Sequence, residues 1–157
     1  MEHTYRNGPV GAMMDEYERA AVEILLILED ISDGEFEKIM DTKTKDEDCR
    51  SIQTLMGHVI GSGYSYADSI RKAYDIPSKR PKTEVFSREG SIEGLEKMLA
   101  YTAETLEDKW GTAEEDVHKV MVTASWGQLY TLEQMLEHAI VHVLRHRRQI
   151  ERFLLQE

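Results

Sequence analysis

The chain has 157 residues, 41% hydrophobic and 31% charged, and a formal net charge of −11, which disfavours nucleic acid as a partner because phosphate backbones require neutralising cations. The sequence shows no basic-then-apolar leader and no apolar run of transmembrane length, so we expect neither a signal peptide nor a membrane span. The single cysteine, Cys49, excludes an internal disulfide and fits a reducing compartment, so the expected location is the cytoplasm.

Two segments in the N-terminal half carry the apolar spacing of three and four residues that is typical of amphipathic helices. The apolar positions of the first are Met14, Tyr17, Ala21, Ile24, Leu28 and Ile31. It is expected to end near residues 32–34, and the charged residues 41–50 predict a solvated loop. The second helix is predicted from an N-cap at Ser51 to Tyr74. Its apolar positions are Ile52, Leu55, Val59, Tyr66 and Ile70.

Two further helices are predicted in the C-terminal half, after a connector that contains Pro77 and Pro81. Ser91 is expected to cap the third helix. Its stripe consists of Ile92, Leu95, Leu99, Thr102 and Leu106. An irregular stretch follows, in which residues 117–122 (VHKVMV) predict a short extended piece. Thr131 and a glutamine three residues later form the capping-box pattern that begins the fourth helix, which runs to about Leu155.

These patterns predict an all-α fold, namely a four-helix bundle with long connectors after the first and third helices. Each predicted helix has roughly 20 residues and would be about 30 Å long at a rise of about 1.5 Å per residue. No repeat or linker marks a second domain, so we expect a single domain over residues 1–157.

Three of the six histidines, His138, His142 and His146, lie four residues apart on the fourth predicted helix. His142 and His146 fall on its apolar stripe. The other members of that stripe are Leu132, Met135, Ala139, Ile150 and Phe153. Two imidazoles four residues apart can converge on one cation, and His58 on the second helix is the best candidate for a third ligand. The pattern equally fits core histidines held by ordinary hydrogen bonds, because a buried ring needs partners in either case.

The segments SIQTLMGHVI (residues 51–60) and HVLRHRRQI (residues 142–150) resemble the DinB-like superfamily, whose members carry one histidine on helix 2 and an H-x-x-x-H pair on helix 4. His58 matches the first, and His142 and His146 match the pair. Arg147 and Gln149 match the residues that follow, whereas Arg148 stands where the family usually has glycine. The resemblance implies a four-helix bundle that binds a divalent metal ion, often zinc or nickel, through three histidines and water.

The expected function is that of a metal-dependent enzyme acting on a small-molecule substrate, because three histidines leave coordination positions open. The resemblance implies hydrolase-like chemistry or transfer that uses a low-molecular-weight thiol, and it implies a homodimer. Two alternatives are a non-enzymatic stress-response bundle that binds a metal or ligand, and a homodimeric interaction module. No general base is singled out among Asp68, Glu133 and Glu137.

Residues around the histidines leave further alternatives open. His138 lies beside the apolar stripe, and an i, i+4, i+8 ladder drifts by roughly 40°. We therefore expect it to line the pocket, with a ligand role as the alternative. Gly61 and Ser62, one turn past His58, either leave room for a substrate or permit close helix packing.

A basic tract near the end of the fourth helix has two interpretations. It is either a contact for an anionic ligand or nucleic acid, or a set of cations favoured by the helix dipole. Its members are Arg145, Arg147, Arg148 and Arg152. Cys49 lies among carboxylates that would raise its pKa, which disfavours a catalytic thiolate.

Overall fold

The structure, a computed structural model, describes residues 4–82 and 84–156. These residues are mostly helical, so the all-α class is broadly confirmed, with one small sheet in addition. The helices are α1 (Gly8–Asp30), α2 (Asp33–Glu37), α3 (Ile52–Ala73), α4 (Arg88–Leu106), α5 (Glu114–Val117) and α6 (Leu132–Leu154). Antiparallel strands β1 (Met121–Thr123) and β2 (Leu129–Thr131) pair with Val122 opposite Tyr130. Within these ranges, no helix has the length and apolar character needed to cross a bilayer.

The four long helices pack against one another around a shared core. α3 contacts α4 and α6, and α1 contacts α6 and, less extensively, α4. Every position predicted for the apolar stripes of the first, second and fourth helices is buried, and in the third only Ile92 is half-buried. Apolar side chains brought together in this way supply the main favourable free energy of folding.

Side-chain caps begin two of the long helices where the sequence predicts them. The hydroxyl of Ser51 accepts a hydrogen bond from the backbone N–H of Thr54, and the hydroxyl of Thr131 accepts one from the N–H of Gln134. In both cases the partner side chain also accepts from the N–H of the capping residue, which completes a capping box. The first helix also stops close to its predicted end, with α1 finishing at Asp30.

The predicted start of the third long helix at Ser91 is wrong. α4 begins one turn earlier, and Ser87 is its N-cap, accepting from the N–H of Gly90 at 3.0 Å. The guanidinium of Arg88 donates to the carbonyl of Leu28 at 3.0 Å, which anchors this added turn to α1. Ser91 is fully buried inside the helix and does not cap it.

The connectors contain short ordered elements that periodicity does not reveal. Between α1 and α3 lie α2, whose Phe36 is fully buried, and a 3₁₀ turn at Glu47–Cys49. The N–H groups of Met40 and Asp41 both donate to the carbonyl of Arg50, which closes the loop. Between α4 and α6 lie α5 and the β1–β2 hairpin. The predicted extended piece is correct only from residue 121, because α5 covers residue 117.

Candidate metal centre

Two helices bring three of the histidines together. His58 extends from α3, and His142 and His146 extend from successive turns of α6. The Nε2 atom of His142 lies 3.0 Å from Nε2 of His58 and 3.2 Å from Nε2 of His146. The candidate ligand atoms of all three lie within 4.8 Å of one another. The structure therefore places the three histidines that the sequence singles out at one point.

Protons alone do not satisfy this arrangement. A neutral imidazole has one N–H, so Nε2 of His142 acts either as a single donor or as a single acceptor. In either state this nitrogen forms one good hydrogen bond, although the Nε2 atoms of both His58 and His146 lie at hydrogen-bonding distance from it. A cation accepts a lone pair from all three rings. Ligand atoms about 2.0–2.1 Å from a tetrahedral zinc ion lie about 3.3 Å apart, so the residues fit a divalent ion.

The second ring nitrogens of two histidines have partners that leave Nε2 available. Nδ1 of His146 donates to the side-chain carbonyl of Gln149 at 3.1 Å, and Nδ1 of His58 lies 3.4 Å from a carboxylate oxygen of Asp48. A proton held at Nδ1 places the lone pair on Nε2, which faces the other rings. Partners of this kind fix the tautomer of metal-binding histidines in general.

The buried environment keeps two of the rings neutral. Burial, followed by the neighbouring His146 and His58, lowers the pKa of His142 from its usual 6.5 to about 3. Burial also lowers the pKa of His146, again followed by the effect of His58. Neutral imidazole is the form that binds a metal ion. At physiological pH these two rings are therefore ready to act as ligands.

His138 lies in an aromatic cluster beside the three histidines. Its ring centroid is 5.2 Å from that of Tyr66, 5.3 Å from Trp126 and 5.7 Å from Tyr130. It is 6.4 Å from the ring of His142, so the two rings are neighbours without a hydrogen bond between them. His138 therefore lies next to one of the three histidines, whereas its expected place in a pocket lining stays a prediction.

A match over nearly the whole sequence accompanies this geometry. The sequence profile of the DinB family matches residues 2–156. The chain belongs to the DinB family. A search of curated proteins found no match. The three histidines of this DinB-family protein could hold a metal ion, in agreement with the metal site that the sequence resemblance implies.

A cavity of about 490 Å³ opens beside His58 in this DinB-family protein. Gly57 and Gly61 line it, and a Cβ atom added at either position would meet no atom within 4 Å. Open space, rather than close helix packing, therefore surrounds Gly61. Gly63 is the glycine of α3 that permits packing, because a Cβ there would overlap the side chain of Met98.

The carboxylates considered as general bases have other surroundings. Asp68 accepts a hydrogen bond from the hydroxyl of Tyr101 at 2.6 Å, and Glu133 lies 2.9 Å from Nδ1 of His118. Glu137 is exposed on α6. None of the three is thereby given a role at the histidines.

Sequence reasoning gave no role to two residues that contact the ligands. Gln149 follows His146 by three positions, and that spacing brings side chains together on a helix, so the contact was predictable. Asp48 lies in an irregular connector, where no periodic pattern indicates its contact with His58. Burial raises the pKa of Cys49, which agrees with the expectation that this thiol is not a catalytic thiolate.

Proposed function

We propose that this protein binds a divalent transition-metal ion, zinc or nickel, through Nε2 of His58, His142 and His146, and that it is a metal-dependent enzyme. The observation that carries the proposal is the convergence of three Nε2 atoms. Two of their separations are 3.0 and 3.2 Å, and hydrogen bonds cannot satisfy both contacts at the same time. Imidazole ligands suit both metals. An ion with three protein ligands keeps open positions at which water can be activated or a carbonyl or thiolate bound.

The proposed substrate is a small molecule that enters the cavity beside His58. The His58 side chain is 32% exposed, whereas His142 and His146 are 7% and 8% exposed, so the site opens toward this cavity. Asp48 and Ser62 also line the cavity and offer a carboxylate and a hydroxyl for holding a polar group. In this proposal the four long helices form a bundle, in which α3 holds His58 and α6 holds His142 and His146.

Metal binding is tested by measuring the metal content of tag-free protein and the affinity of histidine variants under competition. We expect close to one ion per chain. Replacing His58, His142 or His146 singly by alanine leaves two protein ligands and should weaken binding severely. His138→Ala is the matched control on the same helix, and its loss should not exceed the roughly 10–100-fold that is typical of residues around the ligands.

Two outcomes would contradict this ligand assignment. If all four variants bind metal equally well, the histidines are core residues and there is no such site. If His138→Ala loses the ion while His146→Ala keeps it, the true pair is His138 with His142. Unfolding curves of each variant without metal separate a lost ligand from a lost fold.

Enzymatic activity is tested separately, with ester and amide hydrolysis and with transfer from low-molecular-weight thiols. Turnover that needs metal and disappears in His142→Ala would support hydrolase-like or thiol-dependent chemistry, according to the reaction observed. Metal binding without turnover in either panel would favour the alternative of a non-enzymatic bundle. The homodimer stays a prediction, and sedimentation at micromolar concentration tests it.

A further inference from the structure

The ion pairs of the chain are unevenly distributed among its arginines. Acidic residues outnumber basic ones by 30 to 19. Seven of the ten arginines accordingly have a carboxylate within 4.0 Å. Across residues 4–82 and 84–156, no such pair involves Arg145, Arg148 or Arg152.

These three arginines line the same cavity, which has a volume of about 570 Å³. They follow one side of α6 at intervals of three and four residues. Lys43 faces them from the loop between α2 and α3, so the cavity contains four cations. The one carboxylate in its lining, that of Asp41, accepts hydrogen bonds through Oδ1 from the N–H groups of residues 43 and 44, each at 2.9 Å.

The walls of this basic cavity are formed before any ligand arrives. The N–H groups of Met40 and Asp41 donate to the carbonyl of Arg50 at 2.8 and 3.1 Å, which holds the loop against the body of the protein. Phe153 is buried in the core and supplies an apolar part of the lining. Preorganised walls reduce the entropy that a ligand must overcome.

The helix dipole does not account for this cluster. Its effect is confined to the last turn of a helix. Arg152 lies in that turn of α6, but Arg145 lies about two turns earlier. The four cations outnumber the single carboxylate of the lining, so their mutual repulsion makes the arrangement less favourable until an anion enters.

We propose that the basic cavity binds a small molecule whose anionic group carries two or more negative charges, either a phosphate or a dicarboxylate. Guanidinium groups offer paired N–H donors that match both groups, and a charge-assisted hydrogen bond is stronger than a neutral one. Gln149 also lines the cavity, and its carbonyl accepts from Nδ1 of His146. The cavity and the candidate metal centre therefore share one side chain, but anion binding does not require the metal.

The experiment titrates chelator-treated protein with phosphate, pyrophosphate and succinate and follows the heat of binding at low salt. Metal is removed because these anions would also coordinate an ion. We expect saturable binding of one anion per chain. Pyrophosphate should bind most tightly if the natural ligand is a phosphate, and succinate should bind most tightly if it is a dicarboxylate. Arg148→Gln and Arg152→Gln should each weaken it at least about tenfold, because each variant removes a charge-assisted hydrogen bond.

Arg19→Gln is the matched control, because it removes the same charge from an exposed arginine outside the cavity. It should change the affinity less than about twofold, as expected for a distant screened charge. The proposal is overturned if no anion binds even at a concentration of about 10 mM, because any dissociation constant would then lie above the low millimolar range. It is overturned equally if Arg148→Gln and Arg19→Gln weaken binding alike, or if a single-stranded oligonucleotide binds far more tightly than pyrophosphate in an Arg148-dependent way.

A metal titration of Arg148→Gln makes the two proposals separately testable. This variant should retain the parental metal affinity, because Arg148 is not among the three candidate ligands. If Arg148→Gln loses anion binding but keeps metal binding, the result tests the basic cavity and leaves the proposed metal centre unaffected. Loss of metal from His142→Ala with anion binding intact concerns the histidines alone.

Discussion

Gln149 accepts a hydrogen bond from Nδ1 of His146, and this contact decides which nitrogen of the ring is left for a cation. With the proton at Nδ1, the lone pair of Nε2 points toward His142 and His58. Without that acceptor the ring could place its proton on Nε2, and a cation would then have to displace it. A residue outside the proposed ligand set would thus control the affinity of the site for an ion.

Gln149→Leu should therefore weaken metal binding by about 10–100-fold while leaving the fold intact. Leucine has a similar size but cannot accept a hydrogen bond. Gln149→Glu is the control, because its carboxylate keeps an acceptor at the same position and should preserve or strengthen binding. Competition titrations with a coloured chelator measure both variants. Parental affinity in Gln149→Leu would show that the tautomer of His146 is not limiting.

The residue scale is also where the sequence predicted the candidate site best. His142 and His146 occupy positions of the apolar stripe where leucine or isoleucine is expected, and this mismatch with the pattern singled them out. The basic cavity was not predictable in the same way. Its arginines appear as a tract on one helix, but Lys43 belongs to a loop whose position depends on contacts with Arg50.

At the scale of elements, α3 contains glycines with opposite surroundings two positions apart. Gly61 faces open space beside the cavity, whereas Gly63 faces Met98. The sulfur of Met98 accepts hydrogen bonds from the hydroxyls of Tyr17 and Thr102 at 3.6 and 3.7 Å, and its side chain is fully buried. It therefore has little freedom to move aside.

Gly61→Ala should raise the free energy of unfolding by up to about 1 kcal/mol, the difference in helix propensity between the two residues. Gly63→Ala should lower it by up to about 2 kcal/mol, because overpacking costs roughly 1–3 kcal/mol and the gain in helix propensity offsets about 1 kcal/mol of that cost. Urea unfolding of the two variants measures both effects. Equal shifts would mean that neither the cavity nor the Met98 contact distinguishes the two positions.

Helix starts were predicted where a capping box begins a long apolar stripe, and the starts of α4 and α2 were missed. Ser51 and Thr131 form capping boxes with residues three positions later, so the sequence contains the whole motif. α4 begins at Arg88, where Ser87 forms a single cap bond with the N–H of Gly90 and no reciprocal bond completes a capping box. The short helix α2 was missed although Ser32 and Glu35 form a complete capping box, because five residues are too few to show apolar periodicity.

At the scale of the whole molecule, the buried histidines link stability to pH. A histidine in the unfolded chain titrates near 6.5. Burial, together with His146 and His58, lowers the pKa of His142 to about 3 in the folded protein. Between these two values only the unfolded chain binds the proton, so the free energy of unfolding falls as the pH falls.

The metal-free protein should therefore lose stability from about pH 6.5 downward, by up to about 1.4 kcal/mol per pH unit for one such histidine. His142→Leu removes this contribution while keeping the position apolar. Urea unfolding of chelator-treated parent and variant between about pH 7.5 and about pH 4.5 isolates it, because the titration of carboxylates is common to both. Parallel profiles would contradict the prediction.

Added metal should stabilise the folded protein, in which burial keeps His142 neutral and therefore available to an ion. We expect zinc or nickel to raise the melting temperature of chelator-treated protein at neutral pH. This increase should persist as the pH falls below about 6.5 and weaken only toward the lowered pKa values of the buried rings, where protons compete with the ion. Magnesium, which prefers oxygen ligands, is the control ion. An unchanged melting temperature at neutral pH would count against the metal centre.

The fold class followed from the sequence because apolar periodicity is a property of long segments, and each predicted stripe lies in the core. How the long helices pack is not contained in any one stripe. The contacts of α3 with both α4 and α6 place His58 opposite His142, and only the three-dimensional arrangement shows this. The sequence predicted part of β1 as an extended piece, but β2 and its pairing with β1 escaped prediction because three-residue strands are too short for alternation to be recognised.

His58 and His142 are 84 positions apart, so no local stretch of the chain holds the complete set of ligands. An opened molecule offers an ion at most the His142–His146 pair, and the ion therefore favours the closed molecule. The population of opened molecules falls by the factor 1 + [L]/Kd for an ion at concentration [L]. Proteases that cut only opened chains follow that population when reclosing is fast. The lifetime of this protein in a cell would then depend on the supply of its metal.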